Sequence, residues 1–419
     1  MLIAITVVVT ALIIIIGLNF VPSEKQLDRH IKHTYNLDSP QFMREMGTLL
    51  GPAILPGNRV HDLENGVQIF PAMLEAIRGA QRTITFETYI YWSGEVGQQF
   101  AEAIAQRARA GVKCHVLLDW VGSAKMEQAL IDLLEDAGVE VQRYHPLHWY
   151  HLARMNNRTH RKVLVVDGRI GFTGGVGIAD VWSGNAEDPE HWRDTHFRVE
   201  GPVVAQMQAV FTDNWMKTTG AVLSGEGYFP SLQPAGDSPA QMFSSSPSGG
   251  SESMQLMYLL SIAAAEHTID LAASYFVVDK HTSRALVEAA ERGVKVRIIT
   301  PGRHIDAESV RHASRNLWGP LLIAGIEMHE YQPTMFHNKI FVVDGKLVSV
   351  GSTNFDNRSF ELNDEANLNV YDREFGARMI EVFEQDLKRS RRITYEEWRK
   401  RPLMQRIKEK VMAPFASQM

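Results

Sequence analysis

Apolar positions along this chain follow two rhythms, and their alternation predicts the fold. Residues 112–118 and 294–299 are short apolar, β-rich runs of the kind that fill buried strands. Phe100, Ile104 and Ala108 instead recur every fourth position, as do Leu286 and Ala290, and Gly111 and Gly293 follow those helical stretches where a stop signal belongs. Strand, helix, strand alternation predicts an α/β fold with a largely parallel sheet covered by helices. Residues 1–22 break the pattern, because they carry no charged side chain and run through Val7, Val8, Val9 and Leu12 almost without a polar interruption. About twenty helical residues at a rise of about 1.5 Å cross the hydrocarbon layer of a bilayer, so a transmembrane helix is predicted there. A cleaved signal peptide needs a basic start and a small-residue cleavage site, and neither is evident. Lys25, Arg29 and Lys32 follow the run with no Lys or Arg before it, which predicts that the bulk of the protein lies in the cytoplasm.

The chain also says the same thing twice. Ala80-Gln81-Arg82-Thr83-Ile84 returns as Ala265-Glu266-His267-Thr268-Ile269, and Gly111-Val112-Lys113 returns as Gly293-Val294-Lys295. Gly138-Val139-Glu140-Val141, with Tyr144 and Pro146, matches Gly325-Ile326-Glu327-Met328, with Tyr331 and Pro333. An internal repeat in constant order predicts two similar units. The boundaries follow: a transmembrane helix over 1–22, a juxtamembrane segment over 23–55, a first lobe over 56–219, a Gly-, Pro- and Ser-rich linker over 220–253, a second lobe over 254–390 and a basic amphipathic helix over 391–419.

Composition changes little in this picture. The 419 residues suffice for two domains of ordinary size, with 45% hydrophobic and 22% charged residues. A formal charge of −6 argues against a dedicated nucleic-acid coat. Cys114 is the single cysteine, which excludes an internal disulfide and a cysteine-based zinc site.

The repeat ends each time in the same chemistry: His160-x-Lys162-x4-Asp167 and His337-x-Lys339-x4-Asp344. Residues i and i+2 of a strand share a face, so His160 and Lys162 line one surface, and His337 and Lys339 another. Asp167 and Asp344 have the opposite parity, and each opens an Asp-Gly pair suited to a tight hairpin turn; they are expected to brace turns rather than touch substrate. One copy of such a motif arises by chance in roughly one chain in thirty. Two copies at matching places in a repeat argue strongly for a shared site over two solvated strand ends with ordinary surface charges.

Both motifs resemble the signature of the phospholipase D superfamily, in which a glycine and an asparagine follow. The second copy continues Gly351-Ser352-Thr353-Asn354, a close match, whereas the first continues Gly174-Gly175-Val176-Gly177, with glycine in place of asparagine. Trp192-Arg193-Asp194-Thr195-His196 and the layout from Asn58 onward resemble bacterial cardiolipin synthases in particular. The resemblance implies two lobes about a pseudo-two-fold axis, each a mostly parallel mixed sheet flanked by helices, with both histidines at one phosphate-sized cleft between them. It further implies a phosphohistidine mechanism with His160 as nucleophile and His337 as acid and base, Lys162, Lys339 and Asn354 on the phosphoryl oxygens, and no metal or cofactor. A histidine in such a role needs a carboxylate on its other ring nitrogen, and Asp194 and Glu365 lie downstream of His160 and His337 respectively.

The expected substrates are membrane phospholipids: phosphatidyl transfer between two phosphatidylglycerol molecules, giving cardiolipin and glycerol at a bacterial inner membrane. Hydrolysis to phosphatidic acid is the alternative, and a membrane-tethered nuclease a further one, disfavoured because no basic stripe with stacking aromatics stands out. A longer loop before His160 carries His148, Trp149, Tyr150, His151, Arg154 and Arg158, a mixture suited to lipid headgroups, and His145, His148 and His151 lack the carboxylate or cysteine partner that a metal site would want. Arg303, His304, Arg311, His312 and Arg315 form a candidate second phosphate site. Leu403, Ile407 and Val411, spaced by four among Arg and Lys, suit either a lipid surface or packing on the lobes. The oligomeric state is open.

Overall fold

Two Asp-Gly turns organise the strands. Asp167 and Gly168 take φ of 54° and 62°, and Asp344 and Gly345 take 50° and 58°, the left-handed pairs that a two-residue hairpin needs. In this structure, a computed structural model describing residues 3, 5–7, 10, 31–144, 157–247 and 252–412, those hairpins lie in one sixteen-stranded mixed sheet.

The first half contributes β1 (Leu55–Glu64), β2 (Thr83–Thr88), β3 (Lys113–Asp119), β4 (Glu140–Tyr144), β5 (Arg158–Thr159), β6 (Val163–Val166), β7 (Ile170–Gly174) and β8 (Thr195–Glu200). The second contributes β9 (Ser238–Ser245), β10 (Thr268–Ala273), β11 (Phe276–Val277), β12 (Lys295–Pro301), β13 (Glu327–Tyr331), β14 (Lys339–Val343), β15 (Leu347–Gly351), β16 (Phe355–Asp356), β17 (Asn363–Tyr371) and β18 (Ser390–Ile393). The order β4-β3-β2-β6-β7-β8-β1 in one half matches β13-β12-β10-β14-β15-β17-β9 in the other, and the halves join through antiparallel β1 and β9. The repeat in sequence is thus a repeat in topology.

Three expectations are corrected. The sheet is mixed rather than mostly parallel: β2-β3-β4 and β10-β12-β13 are parallel because helices cross between them, but the hairpin strands and their neighbours are antiparallel. The stretch 220–253 is more than a connection, since β9 within it pairs with β1 and β17. The segment from 391 is not one helix: β18 pairs with β13, and Pro402 separates the helices Tyr395–Arg399 and Leu403–Met412.

Each half has its own core, and a third apolar cluster joins them, with Val163, Phe197 and Val199 of the first packed among Ile340, Val350 and Leu368 of the second. Among the described residues no helix is long and apolar enough to cross a membrane. The predicted span over 1–22 lies almost wholly outside those residues, as do Lys25, Arg29 and the loop residues His145, His148, Trp149, Tyr150, His151 and Arg154.

Candidate active site

Each motif histidine is held by the opposite half. β5 runs parallel to β17, pairing Arg158 with Asn363 and Thr159 with Asp364, and the His160 N–H donates to the Asp364 carbonyl at 2.9 Å. Phe336 bridges Arg193 in the same sense, and the His337 N–H donates to the Arg193 carbonyl at 2.8 Å. Buried ion pairs fix these crossings: Arg161 with Asp364 at 3.6 Å, and Arg193 with Asp386 at 2.8 Å.

That register crosses the carboxylates. His160 Nδ1 lies 3.0 Å from both oxygens of Glu365, and His337 Nδ1 lies 2.7 Å from Asp194 Oδ2. The same-half pairing expected from sequence is therefore wrong, because the parallel pairing of each motif with the far half's strand carries its carboxylate across. Glu365 also accepts from Ser352 Oγ at 2.5 Å and Asn363 Nδ2 at 3.2 Å, while Asp194 accepts from Trp182 Nε1 at 3.1 Å and the Thr195 N–H at 2.8 Å. A carboxylate on Nδ1 selects the tautomer that leaves Nε2 for the cavity.

His160, Lys162, His337 and Asn354 line one cavity of about 370 Å³, together with Tyr89, Trp192, Tyr275, Asp306, Arg158 and Arg358. The histidines are only 8% and 6% exposed. Burial pulls His160 down to about 4, with Lys162 nearby reinforcing and Glu365 opposing it. Burial and then Lys339 pull His337 well below the ordinary histidine range. Both imidazoles are therefore neutral near pH 7. Burial also lowers Lys162 to about 7, helped by Lys339, and Lys339 to about 8. Asp194 is pushed up to about 6 by burial, whereas for Glu365 burial is outweighed by the hydrogen bonds from His160 and Ser352 and the nearby Lys162, which hold it low.

The motif aspartates stand apart from this cavity. Asp167 accepts from the N–H groups of Gln81, Arg82 and Thr83, and Asp344 accepts from those of Glu266, His267 and Thr268, at 2.7 to 3.2 Å. They clamp the starts of β2 and β10.

The family described as "Cardiolipin synthase, PLD-like domain" matches residues 73–215 and 258–387, one segment for each half of the sheet. The chain belongs to this family. It is 36% identical over 352 residues to a cardiolipin synthase of Geobacillus kaustophilus, covering 83% of this chain and 70% of that one. It is 35% identical over 350 residues to cardiolipin synthase 2 of Bacillus cereus, covering 83% and 68%. The solved phosphatidylserine synthase of Haemophilus influenzae, 15% identical, shares the fold with a TM-score of 0.66 over 90% of this chain and 97% of that one.

Within this PLD-like framework the two half-sites are not equivalent. Gly177 stands where the second copy has Asn354, and a Cβ there would meet Ile90 Cβ at 2.8 Å, so a first-half asparagine has no room. Gly175 matches Ser352, and a Cβ on it would lie 2.4 Å from Asp194 Oδ1; Trp182 supplies the hydrogen bond instead. Lys339 Nζ donates to Ser274 Oγ at 2.6 Å and lies 3.3 Å from His337 Nε2, whereas Lys162 Nζ sits 5.6 Å over the Tyr89 ring.

Sequence reasoning missed Tyr89, Tyr275 and Asp306, which stand on the cavity wall, with Tyr275 Oη donating to Asp306 at 2.7 Å. Tyr89 and Ser274 each follow directly on a matched parallel strand, where such sheets present ligand-binding loops, and extending the repeat past β2 and β10 would have found them. The candidate second phosphate site is not assembled as expected. Glu330 takes Arg311 at 2.8 Å and Arg315 at 2.5 Å, and Arg303 Nε turns to His304 at 2.9 Å, so these cations serve internal contacts. Glu187, Asp188 and His191 lie close enough to share an ion, on the surface and outside the cavity lining.

Proposed function

We propose that this chain is a phosphatidyltransferase that joins two phosphatidylglycerol molecules into cardiolipin and releases glycerol. One observation carries the proposal: two neutral imidazoles, each oriented by a carboxylate from the other half, face one cavity lined by Lys162 and Asn354, with Lys339 Nζ 3.3 Å from His337 Nε2, in a chain of this family. His160 Nε2 attacks phosphorus, forming an N–P bond as the bond to the departing glycerol oxygen breaks, and His337, which takes up a proton at Nε2 from solvent as the anionic phosphodiester binds, gives that proton to the departing oxygen. The glycerol hydroxyl of a second phosphatidylglycerol then returns a proton to His337 and attacks the same phosphorus, breaking the N–P bond. Lys162, Lys339 and Asn354 meet the charge on the phosphoryl oxygens without reorganising.

The asymmetry of the half-sites supports His160 as nucleophile, since the low-lying Glu365 stays ionised beside it and steadies the positive charge that attack creates. On this reading residues 1–22 anchor the enzyme in the membrane that holds its substrate. Purified protein in phosphatidylglycerol vesicles should produce cardiolipin and free glycerol in equal amounts, measured by mass spectrometry. Phosphatidic acid as the main product would make it a hydrolase instead.

A further inference from the structure

The helix Leu403–Met412 is turned the opposite way from an ordinary packed helix. Its buried face is held by an ion pair: Glu409, fully buried, meets Arg401 at 2.6 Å and Arg315 at 3.6 Å, while Met412 packs on the cluster of Val277, Val310 and Ala313. Its apolar side chains face outward. Leu403, Met404, Ile407 and Val411 are 69%, 65%, 46% and 59% exposed. At about 100° per residue these four fall within an arc of about 100°, opposite Glu409. Arg406 and Lys410 flank one side of the stripe and Lys408 the other, and among the described residues none of the three has an ion-pair partner. Beside the stripe, Trp398, Arg399, Arg401, Arg406 and Lys410 line a cavity of about 180 Å³.

An apolar stripe bordered by cations on both sides is complementary to an anionic lipid surface, which offers acyl chains to the stripe and phosphates to its borders. A second copy of the helix would bring the same cations together and repel. We propose that the helix Leu403–Met412 docks flat on anionic bilayers, with one lipid headgroup in the basic cavity beside it. The proposal rests on the lipid-transfer reading of the active site and deepens it. Met412 joins a cluster that includes Tyr275 and Val310, both on the wall of the catalytic cavity, so a bilayer bound by this helix lies at the rim of the cleft.

The test uses the full chain. Cys114 is buried, so a polarity-sensitive dye on Ile407→Cys reports the stripe alone. Its emission should move to the blue on phosphatidylglycerol vesicles and not on phosphatidylcholine vesicles. Arg406→Ala with Lys410→Ala should raise the anionic lipid needed for half the shift by about thirtyfold, from two surface charges of about 1 kcal/mol each. An unchanged emission on both vesicle types overturns the docking, as does a blue shift without vesicles that grows with protein concentration, which would mark a second copy as the occupant. Cardiolipin formation followed in the same samples judges the active-site reading separately. Turnover without a shift leaves that reading standing and removes the docking; a shift without turnover does the reverse.

Discussion

Glu365 and His160 come from opposite halves of the chain, 205 residues apart, and meet with both carboxylate oxygens 3.0 Å from Nδ1. The crossing predicts which variants resemble each other. Glu365→Gln keeps the shape but removes the charge, and kcat is expected to fall by about a hundredfold or more. Rapid-quench assays should place it with His160→Ala, deficient in forming the covalent intermediate. Asp194→Asn should fall with His337→Ala, slow both in forming and in discharging the intermediate but still able to trap it. A Glu365 variant that behaves like the His337 variant would contradict the crossed assignment.

Asp167 and Asp344 give the opposite pattern, since each spends its carboxylate on three backbone N–H groups at a strand start. Asp167→Asn or Asp344→Asn should cost about 1–3 kcal/mol of stability, read from denaturant unfolding, because asparagine accepts fewer and weaker bonds. Activity per folded molecule should stay within a few-fold of the parent. Loss of turnover with unchanged stability would place these side chains in the chemistry.

These contrasts mark what the sequence made legible. The parity of His160 and Lys162 against Asp167 was readable because a strand alternates faces, and the hairpin at Asp167-Gly168 was readable because few residue pairs accept two positive φ angles. The duplicated topology followed from the duplicated order of motifs. The crossing of Glu365 onto His160 was not readable, since it depends on β5 pairing with β17 and local spacing does not encode that register. Nor was the outward face of Leu403, Ile407 and Val411: an apolar stripe at four-residue spacing looks the same whether it meets a core or faces away. Only the buried Glu409 fixes which way it turns.

The pH response follows from the buried lysines and histidines. Phosphodiester binding favours protonated Lys162 and Lys339, which burial lowers to about 7 and about 8, and it brings His337 the proton that those lysines oppose. Raising the pH removes the lysine protons before substrate arrives and makes the His337 proton harder to supply. KM for phosphatidylglycerol should therefore rise from pH 6 to pH 9. With His160 held near 4, the acid limb of kcat/KM should lie below the ordinary histidine value. A KM independent of pH across that interval would refute the electrostatic account.

The central claim is a covalent bond to His160 that His337 helps to make and break, and the direct test is to find it. Phosphatidylglycerol labelled in phosphorus is mixed with the protein and quenched within one turnover in alkaline denaturant, where a phosphoramidate survives, and the labelled peptide is then identified. The label should sit on His160 in the parent, persist or accumulate in His337→Ala and be absent from His160→Ala. Label on His337, or turnover to cardiolipin with no labelled histidine at any time, would contradict the mechanism.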